Sequence, residues 1–239
     1  MVVELEQYEK RIIVFIDILG FREHIKKTIE DKVSFTNLKD ALNYISQIGS
    51  VINNELYEEH DKEITVFSDS IVISYPVANP NNVFSLLMDV VYIQLDMICR
   101  GILLRGGIAT GELCHKNTIV YGPAMVEAYE LESKSAIYPR VIISKDVFTI
   151  ISKINNSTDL EIVNSLIKRD RDGQWYVDFL NQGHEFPPDE FLFALNKAKK
   201  LIENEINKNK ARSNVQMKYE WLKSYFNEVV GEQSNLFIS

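Results

Sequence analysis

Apolar positions along the chain keep two rhythms, and their alternation predicts the elements. "RIIVFIDILGF" at 11–21 is a nearly unbroken run of β-branched, aromatic and aliphatic residues with one acid, Asp17. Such a run predicts a strand over 11–17 that is buried on both faces. Gly20 lets the backbone turn into a helical region in which Leu38, Leu42, Ile45, Ile48 and Ile52 recur at helical spacing. "EITVFSDSIVISYP" (63–76) reads as two short β runs that meet at residues 68–70. The Asn-Pro-Asn-Asn break at 79–82 starts an apolar helix, "VFSLLMDVVYIQLDMIC". "GILLRGGIATGEL" reads as a strand interrupted by glycines, and Gly122-Pro123 opens a further helix in "TIVYGPAMVEAYELES". "RVIIS" (140–144) is a strand, and "EIVNSLIKRDRDGQWYVDFL" predicts a hairpin turned at Arg171-Asp172-Gly173. Residues 188–230 form two polar, Lys/Glu-rich helices. The expected layout is an α/β core over 1–180 and a helical C-terminal extension over 181–239.

Composition narrows the classes. The chain has 239 residues, 46% hydrophobic and 25% charged, enough for one sizeable core. A net charge of −8 argues against a nucleic-acid-binding surface, which needs clustered Lys and Arg. Two cysteines, Cys99 and Cys114, are too few for a disulfide framework. The opening "MVVELEQYEK" lacks the order of a signal peptide, and the apolar helix is broken by Asp89 and Asp96, as a packed helix would be. The expectation is a cytoplasmic protein with no membrane partner.

Two acids change the picture. Asp17 and Asp69 each stand alone in an apolar β segment, and burying an unpaired carboxylate costs several kcal/mol, on the order of 2–7 for a polar group and more for a charge. If the two strands lie side by side, the carboxylates meet, repel, and are satisfied together by a divalent cation. Taken singly, each acid also reads as a strand-end or turn residue facing water. The four histidines, His24, His60, His115 and His184, lack metal-ligand spacing and read as surface or satisfied core residues. Trp175 and Tyr176 read as core, and no serine-hydrolase or P-loop motif is present.

"FIDILGF", "FSDSIVIS", "LRGGIATGEL", "YGPAMVEAYELES" and "RVIIS" together resemble, in order and separation, the successive motifs of class III nucleotidyl cyclases. The resemblance spans roughly residues 11–145, more than half of the chain. "GPAM", "AYELES" and "RDRDGQWYVDFL" are more similar to the bacterial pyrimidine cyclases of Pycsar anti-phage systems than to adenylyl or guanylyl cyclases. The resemblance implies a ferredoxin-type sheet with helices packed on one face, a homodimer whose sites lie across the interface, and two Mn²⁺ or Mg²⁺ ions per site. It also implies a product acting through a cyclic-nucleotide-binding effector in antiviral defence.

Residue by residue, Asp17 and Asp69 match the metal-binding aspartates, and the backbone carbonyl of Ile18 matches a further ligand. Leu19, Gly20, Phe21 and Arg22 match the turn whose N–H groups cradle phosphates, and Arg105 the arginine that holds the triphosphate. A late basic residue from the hairpin could be Lys168, Arg169 or Arg171. The base-reading positions hold Thr65 and Ile119, neither of which carries the charge used for adenine or guanine, so UTP or CTP is the expected substrate, UTP favoured. Where the family places an Asn and an Arg on the helix after "YG", this chain has Val126 and Glu130, with Lys134 or Arg140 as the nearby substitutes. That departure motivates an alternative: a catalytically inactive nucleotide-binding or interaction module.

Overall fold

The computed structural model describes residues 7–51 and 61–239, so Ile52 and His60 lie outside the described residues. One eight-stranded sheet organises the chain. Its strands are β1 (Glu9–Ile18), β2 (Glu63–Phe67), β3 (Ser70–Pro76), β4 (Leu104–Lys116), β5 (Ile119–Tyr121), β6 (Val141–Ile143), β7 (Ile167–Arg169) and β8 (Trp175–Val177). Their order is β2-β3-β1-β4-β6-β8-β7, with β5 hairpinned onto β4. Every pairing is antiparallel except β4 with β6. This is the mixed α/β class expected from the sequence.

Strand alternation divides the side chains between two faces. Ile12, Val14, Ile16 and Ile18 of β1 join Ile71, Ile73, Leu104 and Ile108 in the main core. The helices α2 (Lys32–Val51), α3 (Asn82–Cys99), α7 (Pro188–Lys208) and α8 (Ser213–Val230) cover that face. α3 is the one helix among the described residues apolar and long enough to cross a membrane, and two thirds of that window (67%) is buried inside this core. The opposite face carries Ile13, Phe15, Val72, Ala109 and Leu113, closed by Ala124 and Ala128 of α4 (Pro123–Glu130). α4 reaches the sheet because Gly107 has no side chain: a Cβ there would collide with the Ala128 carbonyl and with Leu131. Gly107, and Gly106 beside it, whose Cβ would collide with the Phe15 carbonyl, permit close approach within one continuous strand, where the sequence suggested an interrupted one.

Two local readings differ from what forms. Residues 161–165 belong to a helix, α6 (Ser157–Ser165), because Asn156 caps it by accepting from the N–H groups of Thr158 and Asp159; only β7 and β8 make the hairpin, turned at Gly173. The short helix α5 (Val147–Ile151) precedes it. The first helix, α1 (Phe21–Glu30), starts at Gly20, whose φ of 77° favours glycine. The C-terminal helices are built into the main core, with Ala198, Ile202, Leu222 and Phe226 buried beside residues of the sheet. Tyr225 binds the chain after β8 by donating to Asp178 (2.7 Å) and accepting from the Leu180 N–H (2.8 Å).

Candidate active site

Strand register brings the acids together. Asp17, the penultimate residue of β1, pairs directly with Ser70 at the start of β3 and with Arg105 on β4. Residues paired across a sheet share a face, so all three lie on the α4 side. Asp69 occupies the two-residue turn between β2 and β3, after Ser68 in a left-handed conformation (φ 52°). That turn places the Asp69 carboxyl within hydrogen-bonding reach of the Asp17 carboxyl. Burial, then the charge and hydrogen bond of Asp69, push the Asp17 carboxyl up to about 6, against a hydrogen bond from Ser70 (3.2 Å) and the charge of Arg105.

Arg105 stands 3.8 Å from Asp17 and 2.6 Å from Glu132, which is only 3% exposed. Glu132 comes from the π-helical turn Leu131–Ser135 that continues α4, a wider turn often found at functional sites. Burial raises the Glu132 pKa despite Arg105, and both aspartates add to the effect. Three carboxylates thus cluster beside one guanidinium, which pairs with two of them, Asp17 and Glu132. Sequence reading quoted Glu132 within "AYELES" without giving it a role; nothing local marks it as the partner of a strand residue 27 positions earlier in the chain.

Next to the acids the chain presents backbone. Ile18 is buried at the end of β1, the Leu19 N–H donates to the Leu103 carbonyl (2.8 Å), and Gly20 leads into α1. The Gly20 carbonyl accepts from Glu23 and His24, while the N–H groups of the first helical residues, Phe21 and Arg22, belong to the orphan donors of a helix start and are suited to phosphate oxygens. Among the described residues no set of three or more His, Cys, Asp and Glu side chains gathers into a metal cage. Two carboxylates do fit Mg²⁺ or Mn²⁺ of the kind that relies on one or two acids plus substrate phosphates.

The other positions singled out by sequence are spread around this centre. Thr65 is buried, its hydroxyl donating to the Asn117 carbonyl (2.5 Å) and lying 2.9 Å from His115 Nε2. Since that hydroxyl has one proton, it accepts from Nε2–H; His115 Nδ1 then accepts from Ser74 (2.8 Å), and Ser74 from Arg11 Nε (2.9 Å). Burial and Arg11 push His115 down to about 4, in keeping with the neutral ring this chain of donors requires. Ile119 sits exposed on β5. Val126 and Glu130 line an open groove of about 530 Å³ on the outer side of α4, and Glu130 pairs with Lys134 (2.7 Å). Arg140 is fully buried and bound by Asp170 and Asp172, which removes it as a substitute for the missing α4 arginine. Lys168 pairs with Glu228 (2.6 Å), Arg169 lies over Trp175, and Arg171 is exposed in the hairpin turn.

No protein-family model matches the chain, and no curated protein matches it. Solved structures to which it is similar include a bacterial light-regulated adenylyl cyclase at 17% identity, covering 62% of this chain and 47% of that one with a TM-score of 0.40. A second structure of a bacterial light-regulated adenylyl cyclase is 13% identical, covering 80% of this chain and 100% of that one, TM-score 0.43. The catalytic core of a rhodopsin-guanylyl cyclase with converted specificity, in complex with ATPalphaS, is 16% identical over 73% and 98%, TM-score 0.38. The chain therefore spans less than half the length of the first of these.

Proposed function

We propose that this chain is a divalent-metal-dependent nucleotide cyclase that converts a nucleoside triphosphate, UTP or CTP by preference, to its 3′,5′-cyclic monophosphate and pyrophosphate. The observation that carries the reading is the meeting of Asp17 and Asp69 at one end of the sheet, beside Arg105 and the start of α1. In the reaction the 3′-hydroxyl loses its proton, its oxygen bonds to the α-phosphorus, and the bond to the bridging oxygen of pyrophosphate breaks. Asp17, Asp69 and the Ile18 carbonyl would hold Mn²⁺ or Mg²⁺, which when bound would supply charge stabilisation for the attacking oxygen and the departing pyrophosphate. The backbone N–H groups of Gly20, Phe21 and Arg22 orient the phosphates, that of Leu19 being already given to the Leu103 carbonyl, and Arg105 neutralises them once Asp17 releases it.

The pyrimidine preference is supported by Thr65 and Ile119, which offer no charged partner to a purine edge, and by the Pycsar-like motifs. A homodimer with shared sites is supported by the apolar surface of Ile119, Tyr121, Val126 and Tyr129, all 41–59% exposed on β5 and α4. A cytoplasmic second-messenger role in antiviral defence, read out by a cyclic-nucleotide-binding effector, rests on the motif resemblance alone. The test is incubation with each of the four nucleotides and Mn²⁺, the product identified by mass. Cyclic UMP or CMP is expected; cyclic AMP or GMP as main product overturns the pyrimidine preference alone.

A second reading, an inactive nucleotide-binding module, is favoured by Val126 and Glu130, which put no amide or guanidinium on α4. It predicts nucleotide binding with no cyclic product from any nucleotide. For the dimer, mixing an Asp69→Asn chain with a Val126→Arg chain gives up to one intact site in each mixed pair, hence about a quarter of full activity. An inactive mixture with demonstrated subunit exchange defeats the shared site.

A further inference from the structure

We infer that Glu132 is a positioning residue: it holds Arg105 at Nε and leaves the two terminal nitrogens of that guanidinium ready for the triphosphate, an inference that rests on the cyclase reading. The fold builds this contact around a missing side chain. Arg105 and Gly107 stand two residues apart on β4, opposite Asp17 and Phe15 of β1, so both belong to the α4 face. A Cβ on Gly107 would collide with the Ala128 carbonyl and with Leu131 Cβ, and would stand 3.2 Å from the Glu132 nitrogen. The chain leaving α4 therefore lies directly on the strand. Its π-helical turn closes there, the Ala136 N–H donating to the Leu131 carbonyl (2.9 Å). Glu132 thus starts above Gly107, and its carboxylate reaches the next residue on that face, Arg105.

The pairing commits only part of the guanidinium. Nε and Glu132 Oε1 are 2.6 Å apart and shut off from solvent, a contact of charges whose N–H is not aligned as a hydrogen bond. Nη2 stands 3.8 Å from Asp17 Oδ2, and among the described residues Nη1 is paired with no acid. Since the donors form one rigid planar fork, fixing Nε also fixes where the terminal nitrogens lie, one of them already on the Asp17 side. An acid is otherwise out of place here. Glu132 is buried beside two further acids, and an apolar side chain of its size would fill the space with no charge to bury. What the carboxylate contributes is order: a free arginine side chain loses its rotamer freedom on binding phosphate, whereas one already held loses little. Glu132 itself touches no phosphate and acts through Arg105.

The experiment is calorimetric binding of inorganic triphosphate to the full chain with Mn²⁺, which needs neither a base nor turnover, in a cycle of Glu132→Leu, Arg105→Met and the double variant. Charge alone and positioning predict opposite signs. Removing an acid beside an anion site tightens binding, whereas removing the guide of Arg105 weakens it. Wild type binds, and Glu132→Leu weakens binding roughly tenfold. In the Arg105→Met chain, where no guanidinium is left to position, the same change alters affinity by less than about twofold. Melting temperature checks each fold, and Glu132→Met replaces Glu132→Leu if the latter does not fold. Unchanged or tighter binding in Glu132→Leu, or an equal loss with and without Arg105, overturns the positioning role while leaving the cyclase reading intact. Absence of triphosphate binding by the wild type overturns both.

Discussion

Arg105 and Arg140 stand on neighbouring strands or their approach, each facing aspartates, and they have opposite characters. Arg140 has no exposed surface; two carboxylates, Asp170 and Asp172, bind it, and the rings of Tyr138, Tyr176 and Trp221 lie within 5.1–5.8 Å of its guanidinium. Arg105 is 27% exposed and pairs with Asp17 and Glu132, while Asp69 adds its charge to both of those acids. The acids report the difference. Although burial works against it, hydrogen bonds from Arg140 and backbone N–H groups hold the Asp172 pKa below the usual carboxylate range, whereas Asp17 and Glu132 are both raised. One cluster is closed and charge-matched; the other has a surplus of negative charge and an open side. Residue types alone do not separate structure from function here; the balance of charge and access does.

The largest contrast is expected from removing one acid at the open cluster. Asp69→Asn keeps the shape of the turn but loses the charge that holds a cation, so turnover falls by at least about a thousandfold, some 4 kcal/mol. The denaturation midpoint of the metal-free chain stays the same or rises. Full activity in Asp69→Asn or Asp17→Asn removes the metal site. At the closed cluster the effects reverse: Arg140→Met leaves Asp170 and Asp172 without their cationic partner and costs about 3–5 kcal/mol of stability. Denaturant unfolding measures it, and an unchanged midpoint defeats the view of Arg140 as a structural ion cluster.

The sequence carried the open cluster better than the closed one. Asp17 and Asp69 interrupt apolar strands, and a lone acid in such a run is a local anomaly visible without coordinates. Arg140 sits before a short apolar run and looks like any flanking arginine; its burial depends on Asp170, Asp172 and Trp221, which reach it only after the hairpin and α8 fold back. The α6 boundary was missed although Asn156 is a good cap, because Val163, Leu166 and Ile167 also suit a strand.

Thr65 shows the limit of reading a position through its side-chain type. Its hydroxyl, expected to face a base, ties the tip of the β4–β5 hairpin to β2 through Asn117 and His115. Thr65→Val is nearly isosteric and leaves His115 Nε2–H and the Asn117 carbonyl without that partner, a cost of about 1–2 kcal/mol. If the hydroxyl serves this latch, the order of preference among the four nucleotides stays as in wild type; a reordered preference at unchanged stability makes Thr65 a base reader.

The smallest effect tests the charge surplus directly. Folding raises Asp17 from 3.8 to about 6, so the folded chain holds that proton more tightly than the unfolded one. The contribution of Asp17 to metal-free stability is therefore fully present below about pH 4, is lost as pH rises through the interval to 6, and levels off above it. Partial exposure of Asp17, at 20%, reduces the full linkage to the order of 1 kcal/mol. Denaturant midpoints between pH 4 and 7.5 give the slope, and Asp17→Asn flattens the part that Asp17 contributes. Mn²⁺ at pH 7.5 raises the wild-type midpoint, because a cation between the carboxylates removes the repulsion, and leaves that of Asp17→Asn where it was. The closed cluster behaves in the opposite sense: Asp172, with its lowered pKa, contributes stability above the unfolded carboxylate value and loses it as pH falls further. A metal-free chain that gains stability steadily from pH 4 to 7.5 would mean the two acids do not strain the fold, and the contrast between the clusters would fail.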